Sequence, residues 1–353
     1  MPPIRIFTPS FADADNTNAQ NLTVKEIVAR LPPEKFHVTM IAMGEPDARI
    51  AARENTKILQ YHAHGNTVRL LASVLSSPPD VYFFPRFGPL DAWFLRMRRG
   101  LGLSSALVTY VVSMVKDRDV NPLEMLAVRE SDVVVGNSRF VTQTIEEYYK
   151  VPSVETIHDG VDPRAFYAPT DSKRRKRECV HVLYAGSFRP LKRVSLVVRQ
   201  AARMPKVQFR LAGAGEEEEE CQRIAEDLGC RNVVFLGHLS QIALGDEMRD
   251  ADIFLFPSIL EGHPQVLGQA AACGLPVVAM KVYEPDYVID GETGFLAESD
   301  ADWVAKLELL LADRGLRETM SAAAVRHVEQ FSWDRVATQW AEVLELAVRR
   351  RRG

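Results

Sequence analysis

The chain has 353 residues, 46% of them hydrophobic and 25% charged, with a formal net charge of -4. That length predicts two domains with sizeable cores, and so small a net charge gives no global electrostatic case for nucleic-acid binding. No apolar run is long enough to cross a bilayer and MPPIRIFTPSFADADN lacks the pattern of an export signal, so a cytoplasmic protein is expected.

Along the chain, IRIF, HVTMIAM, VYFFP, ALVTYVV and DVVVG read as strands, with TVKEIVARL, DAWFLRM and RFVTQTIEEYY as helices among them. This alternation predicts an α/β fold of βαβ units with a parallel sheet. The polar, proline-containing stretch PRAFYAPTDSKRRKRE at residues 163–178 reads as an inter-domain connection. The pattern then restarts with HVLYAG, LKRVSLVVRQAARM, VQFRLAG, EEEEECQRIAEDLG, NVVFLG, SQIALGDEMRDA, DIFLFPS, QVLGQAAACG and PVVAM. The most economical architecture is two doubly wound domains in tandem, residues 1–165 and 166–332. Ligands are expected outside the carboxyl ends of the strands, in a cleft between the domains.

From about residue 300 the strands stop and three helical segments follow. The last, at 333–350, is preceded by Ser332 as an N-cap. It carries Val336, Trp340, Val343, Leu344 and Val348 at helical spacing, an apolar stripe that needs another surface to cover it. The cysteines Cys179, Cys221, Cys230 and Cys273 are scattered, with no C-x-x-C pair and no clustered histidines. Each is expected to be a small buried hydrophobe, and no metal site is expected.

The charged loops of the second half point to phosphate. HVLYAG runs into SFRPLKR, which puts Gly186 at a tight turn and Arg189 and Lys192 at the opening of the next helix. Cations are unfavourable at a helix start unless an anion sits among them, because the N-terminus already carries partial positive charge. In EGHPQVLGQ, from Glu261 to Gln269, a second helix is expected to begin near Pro264, with the N–H groups of Gln265 and Val266 forming another phosphate cradle. Gln269 then lies roughly 6–8 Å along that helix, within reach of a ribose attached to the phosphate.

The run YAGSFRPLKR, RLAGAGEEEE, VVFLGHLS, FLFPSILEGHPQVLGQAAACGLPVV, IDGETGFL and FSWDRVATQW resembles, in that order, the retaining nucleotide-sugar glycosyltransferases of GT-B architecture. These are the glycosyl transferases group 1, the family that includes sucrose synthases and bacterial mannosyltransferases. The stretch SDVVVGNSRFVTQTIEEYYKVPSVETIHDGVDPRAFYAP extends the likeness backward. The resemblance implies two Rossmann-like doubly wound domains facing across a cleft, with the last helix crossing back to the N-terminal, acceptor-binding domain. It implies hexosyl transfer from a UDP-, GDP- or ADP-sugar to an acceptor hydroxyl, with retention of configuration and no metal or other cofactor. The acceptor would be a sugar, a lipid-linked molecule or a small molecule, and no nucleic acid partner is implied.

By the same resemblance, Lys192 and Arg189 meet the donor diphosphate and Glu261 the donor sugar hydroxyls, these three being the catalytic candidates. The donor site would further include Gly186, Ser187, Gly237, His238, Gly262, His263, Pro264, Gln265 and Val266. Gln269 would meet the ribose, where relatives use a carboxylate. Other positions depart from the pattern. Ser187 stands where an Arg often follows the first glycine, and Arg189 substitutes for it. The first strand leads into PSFADADNTNAQN instead of a glycine-rich loop, with Asp13, Asp15, Asn16 and Asn18 of the types that tolerate left-handed backbone. Within this loop Asp15, Asn16 and Asn18 are the candidates for acceptor contacts. Val112 or Ser113 occupies the place of a histidine near the donor sugar, and His158-Asp159 replaces proline-asparagine.

Three surface features stand apart from this site. The run Glu216 to Glu220 reads as the solvated start of a helix. Lys173 to Arg177 and Arg349 to Arg352 read as a solvated linker and a frayed tail, or as attractors of anionic lipid at the inner membrane surface. LDAWFLRMRRGLGL sets Trp93, Phe94 and Leu95 beside Arg96, Arg98 and Arg99. It reads either as a core helix with a basic outer face or as an amphipathic helix that touches a membrane or a lipid-linked acceptor. Two alternatives to glycosyl transfer follow from the departures and from the fold: a degenerate nucleotide-sugar-binding protein, and a sugar-nucleotide epimerase.

Overall fold

The structure, a computed structural model, describes residues 2–15, 18–61, 67–112, 121–151, 154–169 and 179–352, apart from the side chains of Thr67 and Arg69. Asn16, Ser113 and the run Lys173 to Arg177 lie outside the described residues. The chain divides into two compact units, one of Met1–Asp159 with Trp333–Gly353 and one of Gly160–Ser332.

The first unit runs β1 (Ile4–Phe11), α1 (Ala19–Arg30), β2 (Phe36–Ala42), α2 (Ala48–Ala51), β3 (Thr56–Gln60), α3 (Thr67–Ser76), β4 (Val81–Phe83), α4 (Pro89–Gly100), β5 (Ala106–Val111), α5 (Pro122–Glu130), β6 (Val133–Gly136), α6 (Arg139–Tyr149) and β7 (Val154–Thr156). Its strands form a parallel sheet in the order β3-β2-β1-β4-β5-β6-β7. Continuous apolar runs such as ALVTYV suit a sheet covered on both faces.

The second unit runs β8 (His181–Ala185), α7 (Val194–Arg203), β9 (Gln208–Ala212), α8 (Glu218–Asp227), β10 (Val233–Gly237), α9 (Gln241–Asp250), β11 (Ile253–Phe256), α10 (Gln265–Ala272), β12 (Val277–Met280), β13 (Gly294–Ala297), α11 (Asp300–Ala312) and α12 (Arg314–Val328). Its parallel sheet has the order β10-β9-β8-β11-β12-β13. In both sheets the order reverses beside the first strand of the unit. The switch points lie between β1 and β4 and between β8 and β11, where doubly wound sheets leave a crevice at the carboxyl ends of the strands.

The last helix, α13 (Trp333–Arg352), returns to the first unit. Its stripe of Val336, Trp340, Val343, Leu344 and Val348 joins the core that α1 builds on one sheet face. The Trp340 ring meets Tyr110 edge-on at 4.9 Å between centroids and lies 5.0 Å from Phe83. Fully burying side chains of this kind stabilises by about 1.5–3 kcal/mol each, so the stripe holds the helix in place.

Two surface expectations are corrected, the frayed tail and the burial of Cys179. Arg349 to Arg352 form the last turn of α13 and are not frayed. Arg350 donates to the Asp132 carbonyl at 3.2 Å, Arg351 to the Leu103 carbonyl at 2.8 Å, and Arg352 pairs with Asp80 at 3.2 Å. These bonds draw positive charge to the negative end of a helix. In α4 the apolar triplet splits: Phe94 and Leu95 are buried while Trp93 is 47% exposed. Cys221 and Cys273 are buried and Cys230 half-buried, but Cys179 is exposed because it sits ahead of β8 at the end of the polar connection.

Candidate functional site

At the end of β8 the chain turns sharply, and the turn is locked from below. The Tyr184 hydroxyl donates to the Ser187 carbonyl at 3.1 Å, and the fully buried Phe188 donates its N–H to Ala214 at 2.9 Å. Gly213 closes against this loop with φ 131°, and a Cβ there would stand 1.9 Å from the Gly186 carbonyl oxygen. Only glycine fits so close a backbone approach.

Beyond Ser187 the sequence places Arg189 and Lys192 at a helix start, but the structure interposes a separate element. Pro190–Lys192 form a short 3-10 turn, closed by Lys192 N–H on the Arg189 carbonyl at 2.8 Å, and α7 begins only after Arg193 in left-handed conformation at φ 56°. The left-handed residue redirects the chain and sends the Arg193 guanidinium to Asp300. Arg189 is exposed, with Nε donating to Ser187 Oγ at 3.1 Å.

Lys192 instead points inward. Its ammonium lies 5.2 Å from the centroid of the Phe256 ring and forms an ion pair with Glu261, the two side chains being 16% and 13% exposed. These residues come from the loops after β8 and β11, which are adjacent strands, so the pair sits at the switch point of the second sheet. The fully buried Ser258 links both sides. Its Oγ lies 2.5 Å from Glu261 Oε1 and 3.2 Å from the Leu191 carbonyl, while Ile259 N–H donates to that same carbonyl at 3.0 Å. A hydroxyl has one proton, so Ser258 donates to one of the two acceptors at a time. The negative field of Glu261 also reaches two tyrosines. Burial first and that charge second push the Tyr184 and Tyr283 hydroxyls well above the usual phenol range, so both stay protonated.

Three residues after Glu261, Pro264 is the N-cap of α10, which starts at Gln265, near Pro264 as expected. Val266 and Gln265 occupy its first turn, where backbone N–H groups run along the axis. Gln269 lies on the same helix, half-buried, with no side-chain hydrogen bond among the described residues. Gly262 precedes His263, whose ring is buried and stacked on Tyr287 at 4.1 Å. That stack depends on Gly268, where a Cβ would meet the Tyr287 ring at 2.6 Å. Gly237, left-handed at φ 65°, ends β10, and the exposed His238 follows it.

In the loop after β1, Asp13, Asp15 and Asn18 are of types that tolerate left-handed backbone but do not use it. Asn18 caps α1 by accepting from Gln20 N–H at 3.0 Å, and Asp15 is exposed. Asp13 is a buried pin: its carboxylate accepts from the N–H groups of Met43, at 2.9 Å, and Gly44, while Lys25 Nζ donates to its carbonyl at 2.7 Å. Burial, the largest influence on Lys25, lowers its pKa. His158 and Val112 are half-buried at the ends of β7 and β5.

The sequence missed Ser258, Phe256 and Tyr287. Ser258 lies in the quoted FLFPS run, but a lone serine after a strand carries no signal of its own.

Residues 171–327 match the family described as Glycosyl transferases group 1. The chain is 32% identical over 252 residues to a D-inositol 3-phosphate glycosyltransferase of Kribbella flavida, covering 63% of this chain and 59% of that protein. The enzyme of the same name from Mycobacterium tuberculosis is 33% identical over 235 residues, or 59% of this chain and 48% of the relative. The matched region thus spans less than two thirds of these curated relatives. Among solved structures, HepE of Anabaena in complex with UDP and glucose superposes with TM-score 0.77 at 17% identity, over 97% of this chain and 99% of that one. Sucrose-phosphate synthase of Thermosynechococcus elongatus gives 0.78 at 18%, over 98% of both chains. The fold is GT-B. Two doubly wound parallel sheets and a final helix returned to the first unit are the GT-B features expected from the sequence, and all are present. Among the described residues, no helix of this GT-B chain is long and apolar enough to cross a membrane.

Proposed function

We propose that the protein is a retaining, metal-independent hexosyltransferase of glycosyl transferases group 1, moving a sugar from a nucleoside diphosphate to an acceptor hydroxyl. The observation that carries this reading is the ion pair of Lys192 and Glu261 at the switch point of the second sheet, clasped by Ser258. A cation and an acid held together in a mostly buried crevice are poised for a ligand with both an anionic and a hydroxyl-rich part. In this reading the donor diphosphate takes Lys192 and Arg189, and Glu261 turns to accept hydrogen bonds from the sugar hydroxyls. The first turn of α10 adds N–H dipoles to the phosphate, and Gln269 meets the ribose.

The chemistry follows from where charge develops. As the bond from the anomeric carbon to the phosphate oxygen breaks, negative charge grows on the leaving diphosphate and positive charge on the sugar ring. Pre-placed Lys192, Arg189 and backbone dipoles stabilise the first, and the Glu261 carboxylate sits beside the second. The acceptor oxygen bonds the anomeric carbon on the face the phosphate leaves, and its proton passes to the departing phosphate oxygen, which gives retention without a dedicated protein base.

The names of the relatives make a phosphorylated polyol the first acceptor to try, and HepE makes UDP-glucose the first donor. We assign acceptor contacts to the first unit, in the loop holding Asp15 and Asn18, and place the protein in the cytoplasm. Chromatography of reactions with UDP-, GDP- and ADP-sugars, with and without acceptors, tests the proposal. Release of one nucleoside diphosphate with formation of a glycoside supports it. Binding without nucleotide release across the panel would leave the degenerate reading, which the amide at Gln269 favours. A changed sugar still attached to its nucleotide would point to an epimerase.

A further inference from the structure

One face of the first sheet turns polar over part of its area. Side chains alternate along a strand. Phe7 of β1 and Ile41 of β2 pack in the core that holds Leu70 and Val74 of α3, while Ile6, Val38 and Met40 pack in the opposite core with α1 and α13. Arg5, His37 and Thr39 therefore share the α3 face with Phe7 and Ile41, and on β3 Lys57 shares it with Leu59, which packs on that core. The register sets Arg5 opposite His37 and Thr39 opposite Lys57. Parallel strands covered on both faces carry apolar side chains, so this polar block stands outside the core.

The block lines a cavity of about 390 Å³, the size of a small-molecule pocket, to which α3 adds Ser73 and Val74. Phe7 and Val74, 2% and 5% exposed, give it an apolar floor. Its charge is one-sided, since none of the lining side chains among the described residues is acidic. Arg5 donates to Ser77 Oγ at 3.0 Å and pairs with Asp80, but Asp80 also pairs with Arg352, both at 3.2 Å. That carboxylate thus balances one guanidinium of two. Lys57 is exposed and His37 half-buried, and neither has an ion pair or a side-chain hydrogen bond among the described residues. From the spacing of strands and residues, the Cα atoms of Arg5 and Lys57 stand roughly 12 Å apart across β2, a gap that two long side chains close on one ligand.

An ammonium and a guanidinium on either side, the hydroxyls of Thr39 and Ser73, and an apolar floor match a phosphate monoester on a small body. The charged donors meet phosphate oxygens, and the hydroxyls donate to the rest. We propose that this cavity binds a small organic phosphate, its phosphate held by Lys57 and Arg5 and its body lying over Phe7 and Val74. Arg5 and His37 stand near the amino-terminal ends of β1 and β2, whereas doubly wound sheets hold their ligands at the carboxyl ends. Lys192 and Glu261 belong to the other unit. The cavity is therefore a second site, separate from the donor site and from the loop after β1.

Calorimetric titration of the full chain tests the proposal, with glucose 6-phosphate, ribose 5-phosphate and glycerol 3-phosphate as probes and glucose, gluconate and inorganic phosphate as controls. At least one organic phosphate should bind roughly 10-fold or more tighter than inorganic phosphate or gluconate, and glucose should not bind. The ring proton signals of His37, assigned with His37→Asn, should move during the titration. Lys57→Glu, a change at an exposed position, should weaken binding roughly 30-fold, and Ser73→Phe, which fills the cavity, should abolish it. Lys192→Met should leave it unchanged. Circular dichroism checks that each variant folds. Inorganic phosphate binding as tightly as the organic phosphates would show an adventitious ion only, and gluconate doing so would show that phosphate is not what the cavity reads. No binding of any of the three probes, or binding that survives Lys57→Glu or leaves His37 unmoved, would overturn the proposal. Loss of binding in Lys192→Met would overturn it too, by placing the phosphate in the donor site.

Discussion

Lys192 and Glu261, 69 residues apart in sequence, form an ion pair across adjacent strand ends, and Ser258 ties the two loops that carry them. The serine is fully buried and donates to either Glu261 or the Leu191 carbonyl, so its loss removes a buried hydrogen bond between the two loops. Ser258→Ala should destabilise the protein by about 1–2 kcal/mol in urea unfolding. It should lower kcat roughly 10-fold while changing nucleotide affinity little, since the clasp positions Glu261 and does not itself touch phosphate. Unchanged kcat with the same loss of stability would limit Ser258 to a structural role.

Gln269 keeps one acceptor oxygen where a carboxylate offers two. Gln269→Glu should therefore retain transfer and tighten donor binding roughly 5-fold, the equivalent of about 1 kcal/mol from a charge-assisted bond. Calorimetric titration with the nucleoside diphosphate measures it. A loss of activity in this variant would show that the amide has a role the ribose contact does not explain.

Gly213→Ala places a methyl group 1.9 Å from the Gly186 carbonyl at a left-handed φ of 131°. Neither backbone segment can yield without opening the turn below Lys192, so the substitution should cost about 3 kcal/mol or more and remove nucleotide binding with it. Thermal unfolding with and without nucleotide reads both effects. A stable Gly213→Ala protein would show that the loop relaxes freely.

The thiols should separate by exposure. Cys179 is exposed, whereas burial pushes the Cys221 thiol up to about 11 and the Cys273 thiol up to about 12. Mass spectrometry after brief N-ethylmaleimide treatment of the native protein at mild alkaline pH should find Cys179 modified and Cys221 and Cys273 untouched. The sign of the linkage follows. The Cys273 thiol gains a raised pKa on folding, so its contribution to stability is complete below pH 9.0 and fades as pH rises toward about 12. Early modification of Cys273 would contradict this burial.

The parallel sheets were legible because buried parallel strands carry unbroken β-branched runs and amphipathic helices separate them. The returning helix was legible because an apolar stripe with Trp340 cannot face water. Lys192 and Glu261 stood out through their loops, yet the ion pair between them did not, since pairing depends on which strands are neighbours. The separate turn ahead of α7 was hidden because Arg193 is a residue type with no preference for left-handed backbone. Asp13 stood out only as a type that tolerates left-handed backbone, and only the fold shows that two N–H groups after β2 hold it as a buried pin. The arginines at 349–352 read as a tail because their acceptors, among them the carbonyls of Leu103 and Asp132, are distant in sequence.

The central claim is that Lys192 and Glu261 act together on a nucleotide-activated sugar, and nucleoside diphosphate release tests it most directly. Wild-type protein given a panel of UDP-, GDP- and ADP-sugars should release one nucleoside diphosphate. Lys192→Met and Glu261→Gln, with unchanged circular dichroism, should each slow that release at least roughly 100-fold. Release at near wild-type rate in either variant would contradict the account.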